Sequence, residues 1–444
     1  MKTYKHYLEN NPPLVLLLGF FILILIGSFL LALPISQQAP DVTYLDCLFT
    51  STSAVCVTGL VTVPTFSAWT TFGKVIIISL IQVGGLGFMT FASLLALVLR
   101  RKISLKNRLI IKEQTNSLTM SGLVRLIQHI LVYTFMIEFV GVILLMFRFI
   151  PMYGAKGIAY GIFHSISAFC NAGFDLIGAN SLIDVNTDAF LLTVIGVLII
   201  LGGLGFTVMT DLMENHFHFR KLSLHSKIVM TTTGLLLGLT TLLIFVLEYH
   251  NPETLASLSV GDKLSNAFFQ ASTLRTAGFQ SISQTALLDS SSALSVFNMF
   301  VGASPAGTGG GVKTTTFALL IIVALSEIKG NEEIEVFHRR LRWTTVKKAI
   351  ALMMISLVWV LLVTFIILMV ENARYLEVIY EVVSAFATVG LSRNFTSSLS
   401  AISKLLIILT MYIGRVGSLT ILFGLSSNKH PKEYKEAHED IMIG

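Results

Sequence analysis

Charged residues are scarce in this chain. Only 13% of its 444 residues are Asp, Glu, Lys or Arg, whereas 54% are hydrophobic. Soluble domains average about 25% charged residues, so this composition largely excludes a cytosolic enzyme. A helix of about 20 apolar residues spans the hydrocarbon core of a bilayer, and this chain has enough apolar sequence for many such helices. The composition therefore predicts an all-α polytopic membrane protein.

The sequence also lacks the motifs of disulfide-rich proteins, of cysteine metal sites and of two classes of hydrolase. Its three cysteines, Cys47, Cys56 and Cys170, form neither a disulfide framework nor a CxxC metal pair. It contains no H-E-x-x-H motif and no Gly-x-Ser-x-Gly motif with triad partners, so we predict that it is not an enzyme. The apolar run from Leu14 to Leu33 is long for a signal peptide and no A-x-A site follows it. We therefore predict a retained first helix.

Long apolar runs alternate with short polar ones. Eight long runs fall near residues 14–36, 72–99, 122–150, 189–213, 226–250, 290–326, 345–371 and 401–427. Four shorter stretches rich in Ser, Thr and Gly lie between members of each pair, at 44–60, 158–174, 262–279 and 376–391. These are too short and too polar to cross a bilayer. We predict eight spans and four re-entrant pore helices, because irregular backbone is tolerated at membrane depth only where protein or a water-filled cavity covers it.

Basic residues predict the orientation. Lys and Arg concentrate in 100–112, 218–227, 329–348 and the tail from Lys429, which all lie on the same side as Lys2 and Lys5. An excess of Lys and Arg marks the cytoplasmic side. We therefore expect both termini in the cytoplasm and the short segments to enter from outside.

The four short segments are copies of one pattern. They read Ser53-Ala-Val-Cys-Val-Thr-Gly59, Ser167-Ala-Phe-Cys-Asn-Ala-Gly173, Ser272-Thr-Leu-Arg-Thr-Ala-Gly278 and Ser384-Ala-Phe-Ala-Thr-Val-Gly390. Such self-similarity indicates duplicated structural units. We predict four parallel helix–pore loop–helix repeats around one pore, with boundaries at 1–102, 103–221, 222–330 and 331–444.

Four equivalent loops around one axis can form a selectivity filter. A ring of backbone carbonyls replaces the hydration shell of a monovalent cation, and glycine reaches the backbone conformations that aim carbonyls inward. Short helices over 46–56, 160–170, 262–274 and 376–386 would direct their negative ends at the ion. The predicted ion-binding residues are Val57, Thr58, Gly59, Asn171, Ala172, Gly173, Thr276, Ala277, Gly278, Thr388, Val389 and Gly390. Alternatively, these glycines are ordinary turn residues.

The sixth run is interrupted by Gly302-Ala-Ser-Pro-Ala-Gly307-Thr-Gly-Gly-Gly311-Val-Lys313-Thr-Thr-Thr316. Pro305 and the glycines oppose a helix there. The string is not a P-loop, because Val312 precedes the lysine and the flanks are transmembrane. It is either a passive kink or a flexible gate below the filter. Glycines at 84, 85, 202 and 203 favour close helix packing over any direct function.

Charges inside the spans are functional hypotheses by default. Arg415 sits mid-span in the last run, either as a structural anchor or as a group acting on the pore. Arg275 breaks the four-fold pattern next to the third loop, where it either braces loop carbonyls or extends outward to the interface. Glu138 is expected to be a satisfied buried acid, and Asp46 an N-cap. Asp175 either concentrates cations at the outer mouth or is simply solvated.

The repeated single-glycine loops, the Gly-rich break and Arg415 together resemble the Trk/Ktr/HKT superfamily of potassium transporters, and within it the membrane subunits of bacterial Ktr systems. The resemblance covers essentially the whole chain. It implies a potassium uptake protein of the bacterial plasma membrane that carries K⁺, with Na⁺ dependence open and a lean filter that discriminates weakly among K⁺, Rb⁺ and Na⁺. It also implies a gate at Gly307, Thr308, Gly309, Gly310, Gly311 and Lys313, with Arg415 beside it.

Partners follow from the same resemblance. It implies a homodimer with one pore per protomer and a cytosolic nucleotide-binding ring of the KtrA type, which binds ATP or ADP outside this chain. The basic cytoplasmic segments are candidate docking surfaces, and the apolar end Ile441-Met442-Ile443 of the tail is a candidate contact with a neighbouring protomer. No nucleic-acid partner is expected. The alternative function is a cation-coupled permease for a small organic solute, which predicts inverted repeats and a midplane pocket.

Overall fold

The computed structural model describes residues 12–87, 123–178, 180–331 and 333–417. Several sequence predictions lie outside these residues. They concern Lys2 and Lys5, the basic segment 100–112, the boundary at 102 and the C-terminal tail from residue 418.

The described chain is almost entirely helical and falls into four consecutive sets of helices. The first set is α1 (Pro12–Ala32), α2 (Tyr44–Cys56), α3 (Thr65–Ala68) and α4 (Thr71–Leu86). The second is α5 (Leu123–Tyr153), α6 (Lys156–Phe169), α7 (Ala189–Gly203) and α8 (Phe206–Glu214). The third is α9 (Leu224–Glu248), α10 (Val260–Thr273), α11 (Asp289–Phe300) and α12 (Thr314–Ile328). The fourth is α13 (Trp343–Val370), α14 (Tyr375–Ala387) and α15 (Ala401–Val416).

The first helix of each set is long and apolar. The helices α1, α5, α9 and α13 contain 21, 31, 25 and 28 residues, and each is long and apolar enough to cross a membrane. At about 1.5 Å per residue even the shortest covers the thickness of a hydrocarbon core of about 30 Å. Large apolar side chains are exposed on the outer faces of these helices, where lipid would contact them. Examples are Phe29, Phe139, Leu235 and Phe365.

The last helices of each set are shorter or broken within the described residues, so the eight spans stay a prediction. By length and composition the described residues hold four spanning helices, or five if α7 and α8, which bend by 95°, count as one. The α7–α8 bend follows from Gly205, whose φ of +92° cannot continue a helix. Helices α4 and α15 likewise end at Gly87 and Gly417, with φ of +81° and +94°. Residues 301–313 separate α11 from α12.

The second helix of each set is short, and its C-terminal half is buried. The helices α2, α6, α10 and α14 contain 13 or 14 residues, about 20 Å, which is too short to cross a bilayer. They coincide with the predicted pore helices and each ends just before a loop glycine. Asp46 was expected to be the N-cap of α2, but Thr43 is the cap. Asp46 instead occupies the third position of a capping box, and its Oδ1 also accepts from Lys404 Nζ at 3.1 Å.

Glycines let the last helices approach the pore helices. A methyl group on Gly84 would overlap the carbonyl of Val55, and one on Gly202 would overlap that of Phe169. The predicted packing role of these two glycines is therefore confirmed. Gly414 makes an equivalent contact with the Phe386 carbonyl.

A second close approach repeats between the first two sets. Gly27 in α1 lies against the Ser51 hydroxyl, and Gly141 in α5 lies against the Ser165 hydroxyl. Ser51 donates to the Ile24 carbonyl and Ser165 to the Glu138 carbonyl, each at 2.7 Å. Each serine thus fastens a pore helix to the long helix that precedes it, a contact that the sequence analysis did not predict.

A small hairpin lies within the basic segment 329–348. Strand β1 (Glu335–Val336) pairs antiparallel with β2 (Arg339–Arg340). Phe337 at the hairpin turn packs edge-on against Phe219 in the preceding basic segment, with ring centroids 6.1 Å apart. The two basic segments that the structure describes, 218–227 and 329–348, therefore contact each other.

We expect Gly202→Ala to lower the stability of the protein by about 1–3 kcal/mol, because the added methyl overpacks α7 against the end of α6. Thermal unfolding in detergent would measure this. The matched control is Gly238→Ala in α9, which faces outward with no atom within 4 Å of the added methyl. Alanine there should be neutral or stabilising, since it is the better helix former. Equal melting temperatures for the two variants would contradict the packing argument.

Candidate functional site

The four loop glycines lie together in one closed ring. Each glycine faces the carbonyl of the residue that precedes the glycine of another loop: Gly59 faces Ala172, Gly173 faces Ala277, Gly278 faces Val389 and Gly390 faces Thr58. A methyl group on any of the first three would lie 2.5 Å from that oxygen, and one on the fourth would overlap it. The contacts run from the first loop to the second, third and fourth and back to the first. No side chain fits at any of the four positions.

Each ring loop contains two residues with a positive φ. All four glycines have positive φ, between +68° and +94°. The residue two positions before each glycine is also left-handed: Val57 (+58°), Asn171 (+59°), Thr276 (+70°) and Thr388 (+53°). Such a conformation is strained for a β-branched residue and persists only where the surroundings impose it. It occurs once per loop at one register, so the four loops share one conformation that the fold enforces.

Buried serine hydroxyl groups hold three of the loops. The amide of Gly59 donates to Ser53 Oγ at 3.0 Å, and the amide of Gly390 donates to Ser384 Oγ at 3.0 Å. In the second loop, Ser167 Oγ instead donates to the Phe174 carbonyl at 2.7 Å. The serine that recurs in the sequence pattern therefore fastens its own loop in these three cases.

The third loop departs from the pattern. Ser272 donates back to the Phe268 carbonyl of its own helix at 2.8 Å, and Thr273 takes over by donating to the Phe279 carbonyl at 2.6 Å. The chain after α10 continues as a helical turn, in which the Arg275 amide bonds the Ser272 carbonyl. The register of the loop hydrogen bonds thus differs by one residue from that in the other loops, which sequence alignment alone did not reveal.

Arg275 follows neither of its two predicted roles. Its side chain is only 5% exposed, so it does not extend to the interface. Both terminal nitrogens of its guanidinium are buried and have no hydrogen-bond partner among the described residues, so it does not brace loop carbonyls either. Its own carbonyl accepts from Asn171 Nδ2 at 3.1 Å, and the same amide donates to Thr276 Oγ1 at 3.2 Å. Asn171 thus joins the second and third loops, a contact that the sequence pattern did not predict.

The Gly-rich segment 301–313 forms a loop that packs against the end of α6 and against the third and fourth ring loops. A bridge between Val301 and Val312 joins its ends. Thr308 Oγ1 donates to the carbonyl of Phe169 at 3.3 Å, and the Gly310 amide donates to Thr388 Oγ1 at 2.9 Å. A methyl group on Gly309 would overlap the side chain of Thr276. This intramembrane loop is therefore more than a kink, and because it joins two helices it lacks the strand–loop–helix context of a P-loop.

Two basic side chains bind the carbonyls of the intramembrane loop. Lys313 Nζ donates to the Gly309 carbonyl at 2.6 Å. Arg415 lies in the last turn of α15, and its guanidinium donates to the Thr308 carbonyl and, at 3.2 Å, to the Gly85 carbonyl. Arg415 therefore links the intramembrane loop to the C-terminal end of α4, where helix carbonyls favour a positive charge.

Two acidic residues flank the ring. Glu138 is 4% exposed and accepts from Gln82 Nε2 at 3.0 Å, so it is the satisfied buried acid that was expected. Asp175 is half-buried, and its Oδ1 accepts from the Ile177 amide at 3.3 Å. Asp175 and Gly173 both line a cavity of about 200 Å³ next to the ring. Within the described residues no group of three or more His, Cys, Asp or Glu side chains could hold a metal ion.

The chemistry of the ring suits a cation. Carbonyl oxygens take the place of water around monovalent ions. Each of the four pore helices ends beside its ring glycine, so their partial negative charges add to the potential of the carbonyls. The all-helical fold, the lipid-facing long helices and this polar ring in the interior define a membrane transport protein.

The chain belongs to the TrkH family of cation transport proteins, which it matches over residues 20–435. It is 41% identical to Ktr system potassium uptake protein B of Bacillus subtilis, over 95% of each chain. It is 40% identical to the potassium/sodium uptake protein NtpJ of Enterococcus hirae, over 98% of this chain and 97% of that one. The family is one of transporters and not of enzymes.

A solved structure shares the fold. The crystal structure of the potassium transporter TrkH from Vibrio parahaemolyticus superposes with a TM-score of 0.74, over 93% of this chain and 84% of that chain. Sequence identity between the two is 18%, so this likeness concerns the fold alone.

We expect Ser384→Ala to destabilise the fourth loop, because it leaves the buried Gly390 amide without its acceptor, at a cost of about 1–3 kcal/mol. Thermal unfolding of the purified protein would measure the loss. Ser272→Ala is the matched control at the equivalent position, since the Ser272 hydroxyl bonds only its own helix. Its melting temperature should stay close to that of the wild type, and an equal loss in both variants would argue against the specific role of Ser384.

Proposed function

We propose that this protein is a potassium uptake protein whose ion-conducting pathway passes through the ring of loop glycines. The observation that carries the proposal is the closed sequence of contacts from Gly59 to Gly173, Gly278, Gly390 and back. An accidental cluster of turn glycines would not repeat one register and one left-handed conformation in four loops. The proposed ion ligands are the backbone carbonyls of the loop residues named above, from Val57 to Gly390.

The transported ion is K⁺, with Na⁺ as a possible second ion. A carbonyl ring with no fixed carboxylate suits a weakly hydrated monovalent cation better than a divalent one. The similar proteins of B. subtilis and E. hirae are named for potassium uptake and for potassium/sodium uptake, which supports this choice. Inward movement would be driven by the membrane potential, worth about 2.3 kcal/mol per charge for each 100 mV.

The intramembrane loop is the gate of this pathway. It supplies a second barrier because residues 307–311 lie against the end of α6 and against the third and fourth ring loops. Arg415 binds its Thr308 carbonyl and Lys313 binds the adjacent Gly309 carbonyl, so charged hydrogen bonds hold the middle of the loop in the closed position. Movement of this loop would open the pathway without any change in the pore helices.

The arrangement as four parallel repeats, with both termini in the cytoplasm, belongs to the same proposal. The recurring serine contacts of α2 and α6 and the matched helix breaks at Gly87, Gly205 and Gly417 support the repeats. The orientation rests on the basic segments, of which 218–227 and 329–348 contact each other through Phe219 and Phe337. Positive charge concentrates on the cytoplasmic side of membrane proteins.

We infer that partner subunits regulate the opening of the gate. The names of the Ktr relatives imply a system with more than one subunit. We infer a homodimer with one pathway per protomer and a cytosolic nucleotide-binding ring of the KtrA type, which would dock on the two contacting basic segments. Such a ring would act on the gate through α12, which begins at Thr314 directly after the intramembrane loop.

We expect Gly278→Ser to abolish selective K⁺ flux, because any side chain there meets the Val389 carbonyl 2.5 Å away. Purified protein in liposomes would be tested for uptake of K⁺, Rb⁺, Na⁺ and choline. The matched control is Gly234→Ser in α9, where nothing lies within 4 Å of the added carbon. The control should conduct as the wild type does, and choline should not enter.

A permease for a small organic solute is the competing hypothesis. It would tolerate Gly278→Ser, because its substrate would bind side chains rather than the ring carbonyls. If the wild type conducted no cation even with the nucleotide-binding ring and nucleotide present, the proposal would fail. Unaltered K⁺ selectivity in Gly278→Ser would equally place the pathway elsewhere.

We expect Arg415→Gln to raise K⁺ flux measured without any partner, because it removes the charged bonds from the Thr308 and Gly85 carbonyls. Charged hydrogen bonds contribute about 1.5–3 kcal/mol, so the open population should rise by tenfold or more. Arg148→Gln is the control, since Arg148 pairs with Asp188 at the periphery. An unchanged flux in folded Arg415→Gln protein would refute the role of Arg415 as a fastener of the gate.

A further inference from the structure

Thr388 connects a ring loop to the intramembrane loop. Among the residues that the structure describes, it is the one ring-loop residue whose side chain accepts a hydrogen bond from the backbone of the intramembrane loop. Its Oγ1 accepts from the Gly310 amide at 2.9 Å. The same residue immediately precedes Val389, whose carbonyl faces Gly278 in the ring. Thr388 therefore touches both the proposed gate and the proposed filter.

The backbone of Thr388 is strained. Its φ of +53° is left-handed, which is unfavourable for a β-branched residue and must be imposed by neighbouring contacts. Its amide donates to the Ala385 carbonyl at 3.2 Å, and its hydroxyl is the acceptor for Gly310. The side chain is fully buried, so the hydroxyl has no access to bulk water as a substitute partner. Withdrawal of the intramembrane loop would remove one of the contacts that hold this conformation.

The equivalent residues of the other loops differ from Thr388. Val57 has no polar group in its side chain. Asn171 donates to the third loop, through the Arg275 carbonyl and Thr276 Oγ1. Thr276 lies against Gly309 but receives its hydrogen bond from Asn171. The fourth loop is therefore the one whose strained residue depends directly on the position of the intramembrane loop.

We propose that Thr388 is a positioning residue that couples the gate to the filter, so that the position of the intramembrane loop determines the K⁺/Na⁺ discrimination of the ring. The inference rests on the proposed function. Coupling between two sites is reciprocal, so K⁺ in the ring would in turn favour one position of the loop. Selectivity and gating would then be one equilibrium rather than two independent ones.

The test compares Thr388→Val, which removes the hydroxyl at nearly constant volume, with Thr388→Ser, which keeps it. Two readouts are needed: K⁺ and Na⁺ flux in liposomes without any partner, and the dissociation constants of K⁺ and Na⁺ by calorimetry in detergent. We expect Thr388→Val to raise the flux about fivefold, the factor that one ordinary hydrogen bond supplies. We also expect its K⁺/Na⁺ discrimination to fall by a similar factor. Thr388→Ser, which keeps the hydroxyl, should match the wild type in both flux and discrimination.

Thr50→Val is the matched control. Thr50 lies buried in the pore helix α2, and its hydroxyl has no hydrogen-bond partner among the described residues. This variant removes a buried hydroxyl without touching the loop and should match the wild type in both readouts. Two outcomes would overturn the coupling but not the proposed function. In the first, Thr388→Val behaves as Thr50→Val does; in the second, Thr388→Val gains flux while its K⁺ and Na⁺ binding is unaltered. A wild-type protein that neither binds nor conducts K⁺ would overturn the proposed function and the coupling with it.

Discussion

The organisation of the whole molecule depends on four α-carbons that carry no side chain. Each ring glycine lies so close to a carbonyl of another loop that even a methyl group would not fit. This contact brings four backbones together, and each loop in turn must be supported from behind by a helix whose C-terminal half is buried. The pore helices are short because they start at the surface and must end at the ring. The long helices outside them provide the lipid-facing surface. The close contact between each glycine and a carbonyl therefore determines the order of the layers, with the ring inside, the pore helices around it and the long helices outermost.

The same constraint extends outward from the ring. Pore helices can converge on one point only if the helices behind them come close, and glycine again makes this possible, at Gly84 against Val55 and at Gly202 against Phe169. Buried hydroxyls complete the support. They satisfy loop amides and carbonyls that have no other partner at this depth, where an unpaired polar group is costly. Polar residues in the pore helices are thus part of the scaffold rather than ligands of the ion.

Sequence patterns predicted the parts that are encoded locally. Hydrophobic run length identified the long helices, and the recurring Ser-to-Gly spacing located all four loops, because both depend on residue type at fixed spacing. Contacts between distant segments were not predictable in this way. The bond between Asn171 and Thr276 joins residues far apart in the chain, and the one-residue shift at Ser272 depends on where α10 unwinds. Arg275 was expected to find a partner or the surface, and neither expectation holds, because burial is a property of packing and not of sequence position.

The ring is nearly symmetric, but the surface against which the intramembrane loop packs is not. Among the described residues, the loop 301–313 replaces the middle of the last helix of the third set. It reaches Phe169 at the end of α6, and Thr276 and Thr388 in two ring loops. Four identical loops would compete for the same space on the axis. A loop from one set avoids this competition, so that the other sets can hold the ring. The sequence differences among Val57, Asn171, Thr276 and Thr388 follow from that division, since each of these equivalent positions meets a different neighbour. Symmetry therefore serves the proposed ion site, and its departure in the third set serves the proposed gate.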